Sequence, residues 1–124
     1  MVGDWSDATP IYVQLRERVL EQILEGAIKP GDALPSVRQV AGELAVNPLT
    51  VSKAYQTLAD EGVVEKRRGL GLYVMEGADR DVRVRERQRF LSEEWPRVVA
   101  RIRRLDLSAD HLLRDLNSKG DPTT

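Results

Sequence analysis

The chain has 124 residues, 41% of them apolar and 31% charged, with a formal net charge of −1. That length corresponds to about one domain, the composition is that of a soluble globular protein, and no apolar run approaches the roughly 18 residues needed to cross a bilayer. The absence of cysteine excludes a disulfide framework, a thiolate zinc site and a cysteine nucleophile, and a lone histidine, His111, excludes a multi-histidine metal site within one chain. The opening Met1-Val2-Gly3-Asp4-Trp5 has neither the basic start nor the apolar core of a signal peptide. A cytoplasmic protein without metal or cofactor is expected. Charge is unevenly spread: residues 1–27 carry five carboxylates against two arginines, and residues 80–119 carry eleven Lys/Arg against seven Asp/Glu. A near-neutral total therefore leaves a local basic face open.

The first helix is expected to start at Thr9 as N-cap with Pro10 at the first helical position, where a missing N–H costs nothing. Ile11, Leu15, Val19, Leu20, Ile23 and Leu24 then recur at three- and four-residue spacing as one apolar stripe, and Gly26 is the natural stop. Lys29-Pro30-Gly31-Asp32 places Pro-Gly at the centre of a type II turn. Ser36, followed by Gln39 at the capping-box spacing, opens a second, short helix with Val37, Val40, Ala41 and Leu44 inward. Only Ala45 and Val46 separate it from Asn47-Pro48, the N-cap and first position of a third helix that runs to about Glu61 and closes at Gly62.

Beyond Gly62 the period changes. Val63-Val64-Glu65-Lys66 and Leu72-Tyr73-Val74-Met75 flank a glycine-containing Arg67-Arg68-Gly69-Leu70-Gly71 and read as a β-hairpin. Helix, helix, short turn, helix, hairpin is the order of a winged helix-turn-helix. The fold class is therefore α+β: a DNA-binding winged helix over residues 1–77, followed by a short all-α dimerisation tail over residues 78–124.

Gly77-Ala78-Asp79 reads as a hinge. The alternation from Asp81 to Arg87 fits a strand by period, but its Arg, Glu and Gln content favours helix. Leu91, Trp95, Val98, Ile102 and Leu105 then form a two-heptad stripe that Pro96 must kink or interrupt near Glu94-Trp95. Ser108 caps a last helix whose face is Ala109, Leu112, Leu113 and Leu116, and the chain is expected to fray from about Ser118. An appendage this short cannot bury both stripes on itself, which points to a second copy of the chain as their cover. The tail is also too small to enclose a ligand pocket of about 300–1,000 Å³ within one chain; a pocket between protomers stays open.

At 100° per residue, Val51, Ala54, Tyr55 and Leu58 fall in one sector of the third helix, while Leu49, Lys53, Gln56 and Asp60 fall opposite, flanked by Thr50 and Thr57. An exposed leucine beside lysine and glutamine near a recognition-helix N-terminus suits the major groove: Leu49 against a thymine methyl, Gln56 towards adenine, Lys53 towards guanine or phosphate. Arg38, beside the helix start at Ser36, is placed for a phosphate. Lys66, Arg67 and Arg68, with Gly69 and Gly71, make a basic wing for phosphates or the minor groove. No helix follows Gly69-Leu70-Gly71, so it is not a nucleotide loop.

Arg80, Arg83, Arg85, Arg87 and Arg89 read as a solvated helix face rather than a DNA arm. Asp60-Glu61 and Glu93-Glu94 diverge on a helix, a poor geometry for paired acid–base work. Asp60-Glu61 also stands at a helix C-terminus, where negative charge is unfavourable. Nothing in the chain matches a hydrolase elbow, a metal cluster or a Cys/His pair, and no catalysis is expected.

Leu34-Pro35-Ser36-Val37-Arg38-Gln39-Val40-Ala41, Val46-Asn47-Pro48-Leu49-Thr50-Val51, Leu58-Ala59-Asp60-Glu61-Gly62 and Arg68-Gly69-Leu70-Gly71-Leu72-Tyr73-Val74 resemble, in that order, the N-terminal winged-helix domain of GntR-family transcriptional regulators. The short helical tail is similar to the YtrA subfamily, whose members are dimeric repressors, often of neighbouring transporter operons. The resemblance implies a homodimer on a palindromic operator in double-stranded DNA, with contacts from Arg38, Thr50, Lys53, Arg68 and Gly69. Asn47-Pro48 looks like the YtrA variant of the helix start. The competing reading is a winged-helix module for protein interaction, which would dispense with the basic wing and polar reading face.

Overall fold

The inner stripes of the first three helices meet in one core in the computed structural model, which describes residues 5–118; Ile11, expected in the first stripe, is exposed instead. Residues 1–4 of the opening segment and the expected fraying beyond Ser118 lie outside the described residues. The elements are α1 (Ile11–Glu25), α2 (Val37–Leu44), α3 (Pro48–Asp60), β1 (Val64–Arg67), β2 (Gly71–Val74), α4 (Ala78–Arg89), a π-helical turn (Phe90–Glu94), α5 (Trp95–Arg104) and α6 (Ala109–Asn117). The first five make the expected winged helix-turn-helix. No helix among the described residues is long and apolar enough to cross a membrane.

Local rules account for most boundaries. Gly26 ends α1 in the left-handed region at φ 83°, and Asp32 donates its N–H to Lys29 O across the Pro30-Gly31 turn. Ser36 Oγ accepts the Gln39 N–H, but the reciprocal bond of the capping box, from the Ser36 N–H to the Gln39 side-chain oxygen, does not form; the Gln39 side chain is turned towards Glu43, donating its amide N–H to Glu43 Oε1. The start of α1 differs from the sequence pattern: Pro10, with extended φ and ψ, is itself the N-cap and has no side-chain cap. Thr9 is left one residue outside, and the lead-in is ordered by Gln14, whose side chain donates to Ser6 O and Thr9 O and accepts the Ser6 N–H.

α1 and α2 both pack on α3. Leu15, Val19, Leu20 and Ile23 from α1, Val40 and Ala41 from α2, and Val51, Ala54, Tyr55 and Leu58 from α3 share one core with Val63, Val64 and Val74 of the hairpin. β1 and β2 pair antiparallel, Val64 opposite Val74 and Arg67 opposite Gly71. The strands thus reach one residue closer to the turn than the sequence pattern indicates. The other edge of β2 is also occupied: Ala33 bridges Tyr73, and Leu34 donates its N–H to Leu72 O. This strand-like run before α2 was not legible in the sequence.

Two side-chain ties hold α3 in place. Arg16 of α1 grips Glu61 through two parallel bonds, Nε to Oε1 and Nη2 to Oε2, each 2.7 Å. That contact accounts for a carboxylate at the end of α3, and Asp60 beside it accepts the Gln56 amide at 2.8 Å. The Tyr55 hydroxyl donates to Pro35 O at 2.8 Å, tying α3 to the residue that precedes the α2 cap.

The contacts divide the chain between Arg85 and Glu86, not after Gly77. Ala78 and Val82, one turn apart on α4, are buried members of the core, so Gly77-Ala78-Asp79 is no hinge: Gly77, at φ 81°, leads directly into helix. Asp79 and Asp81 in the first turn of α4 and Arg87 and Arg89 in its last complement the helix dipole and settle the strand-or-helix ambiguity. Further along, Pro96 has no N–H, and its ring would meet the Ser92 carbonyl in an α-helix. The backbone answers with the π-helical turn, in which the Trp95 N–H donates to Phe90 O. The expected interruption thus takes the form of a widened turn. Ser108 caps α6 by accepting the His111 N–H.

Burial pushes the Tyr55 pKa from 10.0 up to about 12. The folded state holds that proton more tightly than the unfolded chain, so this contribution is intact below pH 10.0. It is lost as pH rises through the folded value, at up to about 1.4 kcal/mol per pH unit. Tyr55→Phe is expected to cost about 1 kcal/mol at neutral pH through the lost bond to Pro35 and to flatten the alkaline decline. Urea denaturation of both proteins from neutral to strongly alkaline pH checks this; a variant with an unchanged alkaline slope would contradict it.

Candidate nucleic-acid interface

The turn between α2 and α3 is short because Ala45 adopts the left-handed conformation at φ 54°. The Val46 N–H closes back on Ala41 O. Asn47 then caps α3, its Oδ1 accepting the Leu49 N–H at 2.9 Å, with Pro48 at the first position. The Asn47 oxygen is therefore occupied in holding the helix start. Thr50 is half-buried, with its N–H on Asn47 O.

Because Val51, Ala54, Tyr55 and Leu58 are all buried, the opposite strip of α3 faces outward. Leu49 is 76% exposed, and Lys53, Gln56 and Asp60 are exposed along the same line. The Gln56 amide is engaged with Asp60. The Lys53 ammonium lies 4.2 Å from the centroid of the Tyr12 ring on α1, a cation–π distance.

At the start of α2, Ser36 is spent on its capping bond, while the first-turn amides of any helix lack intrahelical partners. Arg38 is exposed beside them. On the hairpin, Arg68-Gly69-Leu70 forms the tip, closed by the Leu70 N–H on Arg67 O. Gly69 and Gly71 take φ values of 73° and 100°, which explains glycine at both positions. Arg67 lies on the face of its strand shared with Glu65 and Tyr73, its guanidinium 4.2 Å from the Tyr73 ring and its Nε 3.4 Å from Glu65 Oε1. Among the described residues, the side chains of Arg38, Lys66 and Arg68 have no hydrogen-bond or ion-pair partner. Leu70 is 67% exposed at the tip.

The fold thus brings Arg38, the outer strip of α3 and the wing into one compact unit. Sequence reasoning missed Tyr12 and Tyr73, the aromatic supports under Lys53 and Arg67, and the apolar tip at Leu70. Tyr12 borders the α1 stripe, and a tyrosine there signals nothing until the crossing of α1 and α3 is known.

In the second unit, the π-helical turn, α5 and α6 contain no buried residue. Leu91, Trp95, Val98, Leu105, Leu113 and Leu116 are exposed, and Ile102 and Leu112 are half-buried. Phe90 and Leu107 extend this exposed apolar set beyond the sequence reading.

The family model described as "Bacterial regulatory proteins, gntR family" matches residues 11–74. The HTH-type transcriptional repressor YtrA of Bacillus subtilis (strain 168) is 49% identical over 75 residues, 60% of this chain and 58% of that protein. The chain therefore matches less than two thirds of the length of that relative. A GntR family transcriptional regulator from Listeria monocytogenes superposes with a TM-score of 0.71 at 26% identity, covering 89% of this chain and 95% of that one. The DNA-binding domain of AraR, solved in complex with operator ORX1, superposes with a TM-score of 0.52 at 27% identity over 60% of this chain and 90% of that one.

Since Asn47 serves as a cap, Asn47→Ala is expected to lower stability by about 1 kcal/mol, and Asn47→Asp to lower it little. Urea midpoints of the two variants check this; equal losses would show that the side-chain oxygen is not what matters.

Proposed function

The chain belongs to the gntR family of bacterial regulatory proteins, and on that premise we propose that it is a homodimeric, cytoplasmic repressor that binds a palindromic operator. The observation that carries the reading is the outer strip of α3, where exposed Leu49 stands beside Lys53 and Gln56. In the proposed complex the N-terminal half of α3 enters the major groove, Leu49 meets a thymine methyl, and Lys53 and Gln56 address base edges or phosphate. Ser36, Asn47 and Thr50 set the approach of the two helix starts. Arg38 takes a phosphate, and Arg67, Arg68, Gly69 and Gly71 bring the wing against the backbone.

Dimerisation is supported by the apolar residues that α5 and α6 leave uncovered. A second copy is the economical cover, and it joins two reading heads so that the second half-site binds at high effective concentration. Repression is supported by the 49% identity to the repressor YtrA over the shared segment. The subfamily resemblance supports a transporter operon as the regulated target.

Arg38→Ala and Arg68→Ala are expected to weaken binding to every duplex and to lower the salt slope by about one per lost phosphate contact. Leu49→Ala should instead relax preference at one base pair by about 1 kcal/mol. Titrations on matched and mismatched duplexes at several salt concentrations read both effects. Unchanged slopes for both arginine variants would remove the phosphate assignment.

A chain ending at Arg85, which keeps Ala78 and Val82, is expected to remain folded and monomeric and to lose about 100-fold in affinity for the palindrome. A chain ending at Gly77 should melt lower, because it lacks those two core residues. Sedimentation, melting and DNA titration of the three lengths test this. An intact chain that stays monomeric at micromolar concentration, or a shortened one that binds the palindrome equally well, would give the tail another purpose.

A further inference from the structure

We propose that Tyr12 is a positioning residue for DNA recognition, its ring holding the Lys53 ammonium on the reading strip of α3. The inference rests on the proposed role of α3 as the DNA-facing helix. Lys53 is the single cation of that helix, so where its ammonium sits decides where the strip presents positive charge. A lysine on an exposed helix face ordinarily sweeps a wide arc on its flexible four-carbon stem. Here Nζ is 4.2 Å from the Tyr12 centroid, well inside the roughly 6 Å over which a ring face attracts a cation.

Tyr12 can act as an anchor because it is half-buried and packed against the core cluster, so its ring is fixed by α1 rather than by the lysine. The contact uses the negative face of the ring and leaves ammonium N–H groups for a guanine edge or a phosphate oxygen. Ordering that DNA binding would otherwise impose on Lys53 is already done. The polar neighbour on the strip is restrained too, Gln56 by Asp60, and the same device recurs on the wing, where Arg67 lies 4.2 Å from the Tyr73 centroid. Both polar readers on the strip are thus held in place before DNA arrives.

The test uses the full chain and the duplex recovered by selection from a random-sequence pool. Tyr12 is replaced by phenylalanine and then by progressively fluorinated phenylalanines, which drain the negative ring face with little change in shape. The phenylalanine variant keeps the ring face and is the reference for the fluorinated series. Fluorination should weaken binding stepwise to a total of about 2- to 5-fold. In a Lys53→Ala background, itself weaker by about tenfold, the same series should be flat. If Lys53→Ala binds like the wild type, the DNA role of Lys53 fails and the inference fails with it. If Lys53→Ala weakens binding but fluorination has no effect, or weakens both backgrounds equally, Tyr12 does not act through Lys53 and the inference alone is overturned.

Discussion

Val51, Ala54, Tyr55 and Leu58 occupy the inward sector of α3, and their burial decides which way that helix faces. Three of them have no exposed surface and Tyr55 retains 5%. At about 1.5–3 kcal/mol for each large apolar side chain removed from water, rotating α3 by even one residue position would sacrifice more than any surface contact returns. The outer strip is therefore fixed by what lies beneath it. Leu49, Lys53 and Gln56 are presented outward because the core leaves them no other direction.

The other residues proposed to meet DNA are placed by connections to that same helix. Tyr55 bonds to Pro35, one residue before the cap of α2, so the core residue that orients α3 also positions the helix start that carries Arg38. Leu34 bonds to Leu72 on β2, which ties the same segment to the wing. Arg16 holds Glu61 at the far end of α3. α3, the α2 start that carries Arg38, and the wing are thus linked through short backbone segments, with no long loop among them to blur their spacing.

Much of this was legible in the sequence because it is written locally. The caps Ser36, Asn47 and Ser108, the glycine stop at Gly26, the Pro-Gly turn and the α3 stripe each depend on residues a few positions apart, and each appears where the pattern puts it. The features that escaped depend on distant partners. Glu61 looked unfavourable until Arg16, 45 residues away, supplied its partner. Ala78 and Val82 looked like the start of an appendage because only the folded core shows a space for them. Tyr12 carried no signal because its role arises where two helices cross. Thr9 gave a false start because Pro10, with extended φ and ψ, is itself the last non-helical residue.

In the proposed complex Arg38, the outer strip of α3 and the wing of the first unit meet DNA together. Backbone amide NMR shifts of the isotope-labelled chain, followed as the selected duplex is added, test it most directly. The largest changes are expected at Arg38, along Leu49, Lys53 and Gln56, and at Arg68 and Gly69, with Ile23 and Val82 little moved. Largest changes in α5 and α6, with the α3 strip and the wing unmoved, would contradict it.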